Sequence, residues 1–63
     1  MRNMQVNVPT EAMEEVAKII ENEGLRNNIA GSEDGEVCIN LTYEEDQRGA
    51  VLEILEIIEE YRD

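Results

Sequence analysis

The chain has 63 residues, with 16 acidic against 5 basic side chains and a net charge of −11 at pH 7, so it has room for one domain (residues 1–63) with a thin core. That charge argues against direct binding to DNA or RNA, where lysine and arginine neutralise phosphates, and against an anionic membrane surface. No apolar run approaches the roughly 18 residues of a membrane span.

The N-terminal Met1-Arg2-Asn3-Met4-Gln5 has none of the apolar stretch of a secretion signal. A lone Cys38 has no internal disulfide partner. Both features lead to the expectation of a reducing, cytoplasmic location. High charge is a mark of disorder, but here the apolar residues fall at strand and helix spacings, and a folded chain is expected.

Met4-Gln5-Val6-Asn7-Val8 alternates apolar and polar residues, the pattern of a half-buried strand. Pro9 and Thr10 end it and open a helix, with Glu11 in the first turn, where the dipole favours an acid. Met13, Val16, Ala17 and Ile20 follow at amphipathic spacing. Gly24 then suits a left-handed helix end with Leu25 folding back, which predicts a helix over residues 10–23. Leu25–Ala30 reads as a polar edge strand, and Asp34-Gly35 as a hairpin turn. Val37, Ile39, Leu41 and Tyr43 alternate most cleanly and predict the central strand.

Thr42-Tyr43-Glu44-Glu45 has the form of a capping box. The helix after it, to about Tyr61, is predicted to bury Val51, Ile54, Leu55 and Ile58, widened by Ala50, Ile57 and Tyr61. Gly49, costly inside a helix by roughly 1 kcal/mol, is expected to serve close packing against the sheet or the first helix.

The order β-α-β-β-α, with a right-handed crossover, predicts an α+β two-layer sandwich. Its three-stranded antiparallel sheet has order 1-3-2, with both helices on one face, a ferredoxin-like arrangement lacking its last strand. The Met4–Val8 strand is then an open edge, and open edges recruit strands, so a homodimer through it is expected. The outer face, with Gln5, Asn7, Cys38, Asn40 and Thr42, is polar, uncharged and without the aromatics on which an RNA-binding sheet stacks bases.

Catalytic residues are not expected. Histidine is absent, which removes imidazole-based chemistry, and Cys38 has no basic neighbour to lower its pKa. Glu33-Asp34-Gly35-Glu36 lacks calcium-loop spacing, and the glycines form no phosphate cradle, so neither metal nor cofactor is expected. Acids are unfavourable at helix C-termini, yet both helices end in them. The topology gathers Glu11, Glu33, Asp34, Glu36, Glu59, Glu60 and Asp63 at one end as a candidate surface for a basic protein partner.

Pro9-Thr10-Glu11-Ala12 opening a helix that ends Glu21-Asn22-Glu23-Gly24-Leu25, followed by a strand and then Tyr43–Ala50 opening a second helix, resembles small βαββα signal-transducing proteins. It is also similar to ACT regulatory domains, although their final strand has no counterpart here. The resemblance covers most of the chain and implies the fold and a regulatory role, with no site residues carried over. The expected function is a small, acidic, non-enzymatic protein-binding or regulatory module, in one version an inhibitor that mimics nucleic acid. The alternatives are an ACT-like small-molecule sensor and a structural subunit of a larger assembly.

Overall fold

A computed structural model describes residues 1–62. In chain order they form β1 (Arg2–Pro9), a 3-10 turn (Thr10–Ala12), α1 (Met13–Glu23), β2 (Arg26–Glu33), β3 (Glu36–Tyr43), a second 3-10 turn (Glu45–Gln47) and α2 (Arg48–Arg62). The sheet is antiparallel with order β1-β3-β2, as the alternation of β3 predicts. Both helices cover one face, and the core is Val6 and Val8 of β1, Ile39, Leu41 and Tyr43 of β3, Ala12, Val16 and Leu25, and Val51, Ile54 and Ile58 of α2.

Local chemistry sets the boundaries. Asp34 (φ 51°) and Gly35 (φ 76°) both lie in the left-handed region, the two-residue primed turn whose twist suits a hairpin. Gly24 ends α1 at φ 64°, ψ 34°, and the Leu25 N–H donates to the Ile20 carbonyl at 3.0 Å, returning Leu25 to the core. The first helix begins with a tighter turn than its amphipathic spacing suggests. Pro9 is extended at φ −56°, ψ 139°, and the Thr10 N–H is held by the Gly35 carbonyl at 2.9 Å.

Three expectations are corrected. Thr42 does not cap a helix: it stays in β3 opposite Asn3, and its Oγ1 donates to Asn3 Oδ1 at 2.9 Å. The capping box forms two residues later, between Glu44 and Gln47, with the Glu44 N–H donating to Gln47 Oε1 at 3.0 Å. Strand pairing through Tyr43 holds the backbone extended and delays the helix. Gly49 packs against nothing: a Cβ there would meet no atom within 4 Å. Tyr61 is 39% exposed rather than core.

The apolar stripe of α1 is divided between two surroundings. Ala12 and Val16 are buried and Ile19 and Ile20 half-buried, while Ala17 is exposed. Met13, Ala17 and Ile20 instead border an apolar groove of about 480 Å³ whose far wall is Leu25 and Ile29. The groove exists because β2 lies beyond the reach of the helices, and all eight of its residues are exposed.

Candidate functional site

The acidic end is built by three connections. The Thr10–Gly35 hydrogen bond ties the start of the first helix to the β2–β3 turn. Arg62, in the last turn of α2, donates through Nη2 to the Asn7 carbonyl at 3.1 Å and to Glu36 Oε2 at 3.2 Å. Tyr61 lies close enough to α1 for the charge of the Glu15 carboxylate to act on its hydroxyl, with Glu60 and Glu11 adding to the effect. Helix N-terminus, hairpin and helix C-terminus therefore share one end of the molecule, as the topology implies.

Glu11, Glu33, Asp34 and Glu60 are exposed there, and Glu36 is half-buried beneath Arg62. Glu59 opens on the flank of α2 beside Leu52 and Leu55, in a depression that Glu60 also borders. Asp63 lies outside the described residues. Two members of this end escape a reading of the chain. Glu15 belongs to it through Tyr61, which helical periodicity assigns to the core. Arg62 partly neutralises it, a pairing 26 residues distant in sequence that no local pattern encodes.

The electrostatics are those of a surface rather than a chelate. Among the described residues no three acidic or cysteine side chains are grouped to hold a metal ion. The field does reach Tyr61, whose pKa is raised above 10.0 by the charge of the Glu15 carboxylate first and then by desolvation, with Glu60 and Glu11 adding to it. Negative neighbours disfavour a phenolate, and carboxylates that act on a neutral hydroxyl act on an approaching cation too. The ion pairs Arg2–Glu45, Lys18–Glu14 and Arg62–Glu36 join exposed or half-exposed partners and are each worth at most about 1 kcal/mol.

The outer face of the sheet is the second candidate. Gln5, Asn7 and Asn40 are exposed on it, and Gln5 Nε2 donates to the half-buried Cys38 Sγ at 2.9 Å. Its depression of about 510 Å³, between Gln5, Asn7, Gly31, Ser32 and Cys38, opens toward Glu33 and Glu36. Among the described residues no helix is long and apolar enough to cross a membrane.

Comparison with protein-family models, with curated proteins and with solved structures returns no match for this chain. The likeness to βαββα signal-transducing proteins and ACT domains therefore rests on the order of elements alone.

Proposed function

We propose that this chain is a small, non-enzymatic, cytoplasmic module that docks a basic protein through its carboxylate-rich end. The observation that carries this reading is the placement of Glu11, Glu15, Glu33, Asp34 and Glu60 around one end, where the Thr10–Gly35 and Arg62–Glu36 bonds tie the elements together and Tyr61 lies in the field of Glu15. Acids at the end of α2 work against its own dipole, by about 0.3–1 kcal/mol each, so stability alone is a poor reason for them. A surface of this kind speeds encounter with a cationic partner and selects against anionic ones. In its most specific form the partner is a DNA-binding protein, and the carboxylates stand where phosphates would.

The test is capture of basic proteins from a cell extract by the immobilised chain, washed with rising salt. Replacing Glu11, Glu33, Asp34 and Glu60 by their amides should abolish capture while circular dichroism stays unchanged; undiminished capture overturns the proposal. Competition by duplex DNA for the captured protein separates the nucleic-acid mimic from simple docking.

The α1–β2 groove, lined by Met13, Ala17, Ile20 and Ile29, favours a second reading, a sensor that binds a small apolar molecule. A ligand at 100 times its Kd would stabilise the fold by about 2.7 kcal/mol. A screen of amino acids, nucleotides and short fatty acids that leaves the melting temperature unmoved would remove this alternative.

A further inference from the structure

One edge of the sheet stands apart from the rest of this acidic molecule. Residues 1–10 contain no carboxylate, and all 16 acids fall at Glu11 or later. That stretch is β1, and its ladder with β3 runs without a slip from Arg2↔Tyr43 to Pro9↔Glu36. The other edge, β2, has a register shift between Ile29 and Gly31. Such a bulge bends a strand and spoils it as a template.

We propose that β1 pairs antiparallel with β1 of a second copy of this chain, joining two sheets into one of six strands. Any other partner on this edge would need no such freedom from acids, whereas two copies with a net charge of −11 each meet with least repulsion along an edge strand that carries none. An antiparallel edge-to-edge pair has its two-fold normal to the sheet, so all four helices lie on one face. Directly opposed residues must then share a face, which puts the axis through a residue rather than between two.

The flank of α2 selects that residue. Arg2 lies 3.5 Å from Glu45 before α2 begins, and Asn7 is bonded to Arg62 at its end, so α2 runs alongside β1 with its middle over Met4 and Gln5. An axis at Gln5 uses Arg2–Val8 for pairing, against only Arg2–Val6 for an axis at Met4. The opposite flank of α2, with Ile57 and Tyr61, turns toward α1 and Glu15. Arg48, Leu52, Leu55, Glu59 and Arg62 therefore line the β1 side at the alternating four-and-three spacing of a helix-pairing seam. Leu52 is 53% exposed on it. With the two helices antiparallel about the same axis, Leu52 meets the partner's Leu55 and Arg48 meets the partner's Glu59.

Sedimentation equilibrium at about 0.1 mM protein and ~0.15 M salt should give twice the 7.2 kDa of one chain, with the dimer strengthening as salt rises. Salt should have the opposite effect on docking to a basic protein, so failure of one proposal is distinguishable from failure of the other. A side chain on the axis faces its own copy, so Gln5→Glu and Gln5→Lys should both dissociate the dimer. Leu52→Glu, at an exposed site that tolerates any helix former, should weaken it about tenfold or more, a loss of about 1.4 kcal/mol. Ile29→Glu, on the other edge, should leave it intact. A mass of 7.2 kDa for the unaltered chain, or a dimer that survives both Gln5 variants and breaks with Ile29→Glu, overturns the proposal.

Discussion

The two free edges of the sheet flank the same central strand yet differ in nearly every physical respect. On β1, Val6 and Val8 are buried beneath α2, whereas on β2 no residue is buried. Ile29 and Ile39 make the contrast sharpest. They are opposed across β2 and β3 and point to the same face, yet Ile39 is 1% exposed and Ile29 61%. The residue type and the strand pattern are identical. What differs is whether a helix lies above. The lesson is that apolar alternation reports which face a residue is on, and burial depends on how far the next layer extends.

The largest effect should come from testing this pair directly. Ile39→Ala should cost about 2–5 kcal/mol, the loss of buried methylenes plus a cavity, enough to unfold much of a domain this small. Ile29→Ala should stay within about 0.5 kcal/mol, as exposed sites do. Urea denaturation of both variants reads the difference. Similar losses would mean that the helices cover β2 after all.

A smaller effect separates self-repulsion from pairing along β1. Raising salt from ~10 mM to ~0.5 M shortens the Debye length from about 30 Å to a few ångströms, which should raise the melting temperature of the unaltered chain by about 4–8 °C, equivalent to about 1 kcal/mol. Gln5→Glu should gain less, because it keeps the relief of repulsion within one chain but not the added pairing. Equal gains would detach salt sensitivity from the β1 edge.

The smallest effect lies on the helix that flanks β1. A Cβ at Gly49 meets nothing, so Gly49→Ala should stabilise by about 0.5–1 kcal/mol through helix propensity and a less flexible unfolded chain. A loss of stability instead would show that the start of α2 needs the glycine, for instance in contact with a second copy.

Much of the fold was legible because its determinants are local. The left-handed Gly24, the Asp34-Gly35 turn, the alternation of β3 and the Val51–Ile54–Ile58 stripe all act through backbone conformation or periodicity within a few residues. Where an expectation is corrected, the reason lies between elements, in a contact made or in the lack of one. Thr42 has capping chemistry but is held in β3 by Asn3. Tyr61 has core spacing but is drawn out toward Glu15. Ala17 falls on the apolar stripe of α1 but overhangs a groove.

Of the acidic end, the charge is written along the chain, and the order of elements brings together Glu11, the Glu33–Glu36 turn and the end of α2. The packing of the elements brings Glu15 to it, pairs Arg62 with Glu36, and sets Glu59 on the flank with Leu52 and Leu55. It also decided which edge is covered by a helix and which is left bare. Periodicity constrains residues along one element, whereas charge pairing and coverage depend on distances between elements that no single element contains.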